Sequence, residues 1–203
     1  MMRAFGAIAR LGGASVMSDS RQPGHRARPT LENMNIYTTT QSPVDELLLV
    51  GEETPDGVRL TWVSMTGQRN APGPRDDWRR APEAFGAVII QLEAYFAGEL
   101  TGFDLDLAPR GTAFQQRIWR ALDSVKYGTT TTYGALAAQL GVPPDRVPAL
   151  GAAIGQNPLL IVRPCHRVIG ADGTMRGYAG GVERKQFLLG LEGALLPTCT
   201  GRR

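Results

Sequence analysis

The sequence predicts an α+β protein in two parts, a small antiparallel sheet with one helix followed by a mostly helical region. Three observations predict it. Two short runs rich in branched apolar residues, Glu46 to Val50 and Gly57 to Met65, flank the turn-like Glu53-Thr54-Pro55-Asp56-Gly57 and read as a β-hairpin. Apolar residues then recur at helical spacing in two stretches, Phe85, Val88, Ile89, Leu92, Tyr95 and Phe96, and later Phe114, Ile118, Trp119 and Leu122. Beyond them, two short helical segments joined by a tight turn suggest a helix-turn-helix.

Residues 1–33 are rich in Gly, Arg, Ser and Pro without periodicity and read as a disordered extension, so that Met17 or Met34 could be the real start. Ordered patterning begins near Met34. After the hairpin, Gln68 to Asp77 is a loop by its Gly and Pro content, and Pro82 suits the first turn of the first long helix, which runs to Gly98. Phe103, Leu105 and Leu107 alternate with Asp104 and Asp106, which predicts a further strand. The composition change at Ala108-Pro109-Arg110-Gly111 divides the chain into 34–108 and 109–195, with 196–203 as a tail. Thr132 is placed to cap a helix carrying Leu136, Ala137 and Leu140 that stops at Gly141, and Asp145 to cap the next, through Val147, Leu150 and Ile154. That second helix is rich in Ala and Gly, which suits close approach of a nucleic acid or simply tight packing. A last helix spans Val182 to Gly193, with Phe187, Leu188 and Leu191 facing inward and Glu192 either on the same stripe or at a frayed, solvated end.

Composition excludes more than it assigns. A net charge of +3 with a pI near 9.1 permits an acidic polymer as partner without requiring one. The chain has two cysteines, Cys165 and Cys199, and two histidines, His25 and His166. A zinc site would need nearly all of them, including His25 and Cys199 in the terminal segments, so no metal is expected. Arg10 interrupts any signal-like apolar stretch, and no run approaches the roughly 20 residues of a membrane span. Reduced thiols and a cytoplasmic location are expected.

The apolar run Leu159-Leu160-Ile161-Val162 reads as a buried strand delivering the chain to Pro164-Cys165-His166-Arg167-Val168. A cysteine thiol is mostly protonated at neutral pH, so a working nucleophile needs a base or a positive charge beside it. Arg163, His166 and Arg167 are candidates within two residues, but adjacent side chains on an extended segment diverge, and the local turn decides whether His166 reaches Cys165. Gly177-Tyr178-Ala179-Gly180-Gly181 is a Gly-rich loop with one aromatic, either a wall for a flat ligand or a plain surface turn.

Taken together, Phe114-Gln115-Gln116-Arg117-Ile118-Trp119, Tyr127-Gly128, Tyr133, Asn157-Pro158, Pro164-Cys165-His166-Arg167-Val168, Gly177-Tyr178 and Arg184-Lys185 resemble the O6-alkylguanine-DNA alkyltransferases. The similarity is dense from Phe114 to Gly193 and collinear but weaker over 34–108, where Leu92 to Leu100 carries it. The resemblance implies a ribonuclease H-like N-terminal domain and a mostly helical C-terminal domain holding the helix-turn-helix. It implies direct transfer of the alkyl group from O6-alkylguanine, and from O4-alkylthymine, in double-stranded DNA, once per monomer and with no cofactor. By the family pattern Cys165 is the nucleophile, His166 a base acting through a bound water, and Glu192 the residue that orients the histidine. Tyr178 and the Ala179 N–H meet charge developing on O6, Asn157 holds the active-site turn, and Val168 contributes to the substrate site. Tyr133 presses on the target phosphate as the base is rotated out, with Arg146, Pro148, Ala149, Gly151, Ala152 and Arg167 on the DNA side. A noncatalytic lesion binder and a thiol hydrolase using Cys165, His166 and Glu192 are the competing classes.

Two positions depart from the pattern. Pro148 stands where most members carry an arginine that fills the space left by the flipped base, and Arg146 lies about 200° around the helix from it. Arg163 replaces an apolar residue; it either lowers the Cys165 pKa or points to solvent.

Overall fold

The computed structural model describes residues 35–68 and 71–195. The extension to residue 33, both alternative starts and the tail with Cys199 lie outside them. Three strands, β1 (Asn35–Thr40), β2 (Leu47–Thr54) and β3 (Gly57–Met65), form an antiparallel meander; the two-residue β4 (Arg79–Arg80) adds in parallel to β1, giving the order β3-β2-β1-β4. The register between β2 and β3 shifts at Val50/Gly51. Only glycine fits there, because a Cβ on Gly51 would lie 2.6 Å from the Arg59 carbonyl oxygen.

A 3-10 turn, Pro82–Phe85, leads into α1 (Gly86–Phe96), whose Val88, Leu92 and Tyr95 are buried. They share one core with Leu47, Leu49, Leu60, Val63 and Met65 of the hairpin. The predicted strand at Phe103–Leu107 does not form. That segment meets β3 at a single residue, where Leu60 N–H donates to Asp106 O at 2.8 Å and Ala108 N–H to Leu60 O at 2.9 Å. Further along the same edge β3 bonds to the 158–160 stretch of the C-terminal domain, Val63 N–H to Pro158 O at 2.8 Å. The alternation of residues 103–107 is therefore inward and outward packing without a ladder.

In the C-terminal domain, α2 (Ala113–Leu122) opens with a capping box in which Thr112 and Gln115 satisfy each other's backbone N–H groups. Trp119 packs α2 against α4 (Val147–Gly155), its indole N–H donating to Ala153 O at 2.7 Å. The helix α3 (Tyr133–Gln139) is capped by Thr132, as its sequence predicts, and ends in a Schellman motif: Gly141 takes φ +61, and Val142 N–H reaches Ala137 O at 2.8 Å. Thr131–Thr132 (β5) pairs in parallel with Val168–Ile169 (β6), tying the start of α3 to the segment after the cysteine.

Two expectations fail here. Asp145 does not cap α4: it sits inside a 3-10 turn, Pro144–Arg146, and α4 starts without a side-chain cap, Pro148 occupying its first turn where a missing N–H costs nothing. Phe187 of α5 (Val182–Leu191) is 43% exposed, whereas Lys185, Leu188 and Leu189 are buried. Leu188 faces inward as read and Leu191 packs against the core, while Phe187 alone of the three turns outward and Lys185 and Leu189 are buried in addition. Among the described residues, no helix is long and apolar enough to cross a membrane.

Candidate active site

The apolar run before the cysteine is buried but is not a strand. Leu159 to Pro164 folds into tight turns, with Ile161 at φ +70 and short-range bonds from Val162 N–H to Leu160 O (2.8 Å) and Arg163 N–H to Leu159 O (2.8 Å). A branched residue in that region is strained. Asn157 holds the turn with its whole amide: Oδ1 accepts from Leu159 N–H at 3.1 Å, and Nδ2 reaches Arg163 O at 3.0 Å and Cys165 Sγ at 3.2 Å.

Cys165, His166 and Arg167 then form one 3-10 turn. Three residues per turn send successive side chains about 120° apart, so the three point in different directions. The Cys165 thiol is buried beside Asn157. His166, fully buried, places Nε2 2.9 Å from Glu192 Oε1 and leaves Nδ1 without a partner among the described residues. Arg167 turns inward, its Nε and Nη2 each 2.8 Å from the Glu192 carboxylate and Nη1 2.6 Å from Val125 O, with its guanidinium over the Tyr127 ring. It was expected on the DNA side and is instead buried behind the histidine.

Glu192 is not a frayed end. It is the C-cap of α5, followed by Gly193 at φ +69 and Ala194 N–H bonded to Leu189 O at 2.9 Å, a second Schellman motif that fixes the carboxylate inside the protein. Burial alone would raise its pKa, but hydrogen bonds from His166 and Arg167 prevail and hold it at about 2. A carboxylate that stays ionised can only accept, so the proton sits on His166 Nε2 and the lone pair on Nδ1. Burial pushes the His166 pKa down and so favours the neutral ring, a shift that Glu192 opposes without reversing. Burial drives the Cys165 thiol up to about 11, only partly offset by the Asn157 bond and the charge of Lys185. At rest the sulfur carries its proton.

Lys185 is a buried charge near the cysteine that residue-by-residue reading missed. It is fully buried, donates to Val168 O at 2.6 Å and Arg176 O at 3.0 Å, and has no carboxylate among its hydrogen-bond partners. The only signal was its place in the Arg184-Lys185 pair. Tyr178 presents a buried hydroxyl without a partner among the described residues, its ring edge-on to His166 at 6.4 Å, and burial raises its pKa well above 10, so it remains a donor. Val168 is buried, its carbonyl taken by Lys185.

Tyr133, Gly151, Tyr178 and Ala179 line an open cleft of about 680 Å³, whose lining also takes in Arg184 of α5 and Gly67 of the sheet domain. A neighbouring cleft of about 620 Å³ runs between Pro148 and Asp172, sharing Tyr133, Gly151 and Arg176. Ala149, Ala152 and Arg146 are exposed, and Arg146 lines neither cleft. Arg163 fits neither expectation: it is buried and pairs with Asp123 at 3.5 Å. The fold thus gathers Cys165, His166, Glu192, Asn157, Tyr178, Ala179 and Tyr133 around one site and sets Arg167 behind it.

Residues 35–109 match the model of the 6-O-methylguanine DNA methyltransferase ribonuclease-like domain, and residues 113–194 that of the DNA binding domain of the same family. The chain belongs to the 6-O-methylguanine DNA methyltransferase family. Among curated members, the methylated-DNA–protein-cysteine methyltransferase of Mycolicibacterium paratuberculosis is 49% identical over 156 residues, covering 77% of this chain and 91% of that protein. The Mycobacterium tuberculosis methyltransferase is 48% identical over 161 residues, 79% of this chain and 94% of its own length. Its crystal structure in complex with DNA superposes with a TM-score of 0.70 at 46% identity, covering 78% of this chain and 93% of that one. The α+β architecture expected for a 6-O-methylguanine DNA methyltransferase is the one observed.

Proposed function

We propose that this protein repairs O6-alkylguanine in double-stranded DNA by moving the alkyl group onto Cys165, one lesion per molecule. The observation that carries the reading is a buried thiol flanked by two buried groups without partners, the His166 Nδ1 lone pair and the Tyr178 hydroxyl, at a cleft lined by α3 and α4. Buried polar groups are seldom left unpaired, and these two match what the reaction needs, one acceptor and one donor.

The Cys165 proton leaves toward His166 Nδ1, through a bound water in the family pattern, as Sγ attacks the alkyl carbon. The Sγ–C bond forms and the C–O6 bond breaks, with the electron pair passing to guanine. Tyr178 O–H and the Ala179 N–H meet the charge on O6, and the proton held at His166 returns to the base, so that guanine and a neutral thioether result. Water does not readily hydrolyse a thioether, which makes the protein single-use. Base flipping is part of this reading, because a stacked guanine cannot bring its O6 substituent to a buried sulfur; Tyr133 at the rim and the exposed Pro148, Ala149 and Ala152 supply the DNA face. O4-alkylthymine offers the same alkoxy carbon and is a second substrate. A cytoplasmic, monomeric protein suits a site built from a single chain.

The test is the intact mass after mixing with excess duplex containing O6-methylguanine. A gain of one methyl per chain, absent in Cys165→Ala, is expected; lesion-specific binding with no mass change would leave a recognition protein instead.

A further inference from the structure

We propose that Tyr95, on α1 of the sheet domain, is a positioning residue for alkyl transfer, its hydroxyl setting the Glu192 carboxylate that orients His166. The proposal rests on the reading of Cys165, His166 and Glu192 given above. Tyr95 Oη donates to Glu192 Oε1 at 2.7 Å, across 97 positions of sequence and from the other domain, and the residue is fully buried. The same oxygen accepts from His166 Nε2 at 2.9 Å and Arg167 Nη2 at 2.8 Å, so Tyr95 competes with the histidine for one atom. Its ring is wedged against Phe96, Phe103 and Tyr127 at centroid distances of 5.4, 5.3 and 6.1 Å, which fixes the axis of the hydroxyl. Tyr127 in turn donates to Leu191 O beside Glu192 at 3.3 Å. The sheet domain thus reaches the reaction through the second residue behind the sulfur.

The chemical consequence has a definite sign. A donor on Oε1 draws electron density from the carboxylate, weakens its pull on the Nε2 proton and keeps Nδ1 a mild base. The groups facing Glu192 are Tyr95, Tyr127, Arg167 and His166; those facing His166 are Glu192, Arg167, Lys185 and the Tyr178 ring. None of the others supplies a neutral hydroxyl donor to the carboxylate. Without the Tyr95 hydroxyl, more of the charge on Glu192 Oε1 is left for His166 Nε2, and the imidazolium form of His166 is better stabilised. The neutral ring is then reached only at higher pH.

The experiment is single-turnover methyl transfer from an O6-methylguanine duplex to the full chain, wild type against Tyr95→Phe, from pH 5 to 9. Lesion affinity is measured in parallel in a Cys165→Ala background. Expected are a rate constant about tenfold lower at pH 7, the size of one hydrogen bond to a charged group, an acid limb displaced to higher pH, and affinity within about twofold. In a Glu192→Gln background the Tyr95→Phe change is expected to add little. An unchanged pH profile, a rate loss matched by lost affinity, or full additivity with Glu192→Gln would overturn the proposal. If Tyr95→Phe does not fold, 3-fluorotyrosine at position 95, a stronger donor, is expected to move the acid limb the other way, and no movement overturns it. Absence of methyl transfer in the wild type would sink the underlying reading rather than this one.

Discussion

Arg184 of α5 closes on Asp45 of the sheet domain, with Nη2 2.6 Å and Nε 3.0 Å from one carboxylate oxygen. Asp45 stands at φ +74, and the same guanidinium donates to Thr66 O at 2.9 Å and to Gly180 O at 2.8 Å. One side chain therefore ties the Gly-rich loop carrying Tyr178 to the two segments that enter and leave the open end of the hairpin. Gly180 permits the approach, since a Cβ there would lie 2.6 Å from Met65 Sδ.

The Asp45 side chain is 65% exposed, so the ion pair alone is weak. The two carbonyl contacts matter more. Arg184→Ala is expected to cost about 1 kcal/mol, a fall in Tm of roughly 2–4 °C for a protein of this size, and to slow methyl transfer several-fold by loosening the loop. Arg184→Lys, which cannot hold three acceptors in a fork, should recover little of either. Thermal melts beside single-turnover rates check both.

Pro148 lacks the reach and charge to fill the stack after a base is rotated out. Repair is expected to be slowed more in duplex DNA than in single strands, and Pro148→Arg to raise the duplex rate severalfold while leaving the single-strand rate unchanged. Equal wild-type rates on both substrates, together with no effect of the substitution, would remove Pro148 from the flipping step.

Glu192 links the site to acid stability. Its carboxyl stands at about 2 in the folded chain against 4.5 for a free glutamate side chain. A depressed carboxyl stabilises the fold above its unfolded pKa, and that contribution is lost as pH falls through the folded one; the difference is worth on the order of 3 kcal/mol. Wild-type Tm should fall between pH 5 and 2 more steeply than that of Glu192→Gln, so the gap between them narrows as acid is added.

A thiol held at about 11 reacts slowly with reagents that bring no base. The rate of Cys165 modification by iodoacetamide in the native chain is expected to rise about tenfold per pH unit from 7 to 10, without a plateau near 8.5. Asn157→Ala removes a bond that lowers this pKa and releases the turn before the cysteine, so transfer to Cys165 should drop at least tenfold.

What the sequence made legible followed from periodicity and end chemistry. The hairpin, α1, α2, the Thr132 cap and the stop at Gly141 each carry a local reason to exist, and the structure has them. The β1 strand went unread because Thr38 occupies an inward position, breaking the apolar alternation. Leu159 to Val162 looked like a strand because a short apolar run has no period, and a buried turn held by an asparagine amide produces the same letters. Cys165, His166 and Glu192 were recognisable through the family resemblance; their geometry was not, since it depends on a 3-10 turn and a helix cap. Tyr95 and Lys185 were hidden by residue type, one passing for a core aromatic and the other for a solvated cation.

Lys185 bears on more than the fold. Thiol, alkylated guanine, repaired guanine and thioether are all uncharged at neutral pH, yet this ammonium lies in the protein interior with two carbonyl oxygens as its partners. Its charge favours the anionic form of the Cys165 sulfur, and the anions on the proposed path are that sulfur and the departing O6 while the alkyl carbon is between them. A buried charge that favours the sulfur anion favours the transferring state over both uncharged ends of the reaction, which is where binding energy accelerates a step that each molecule performs once.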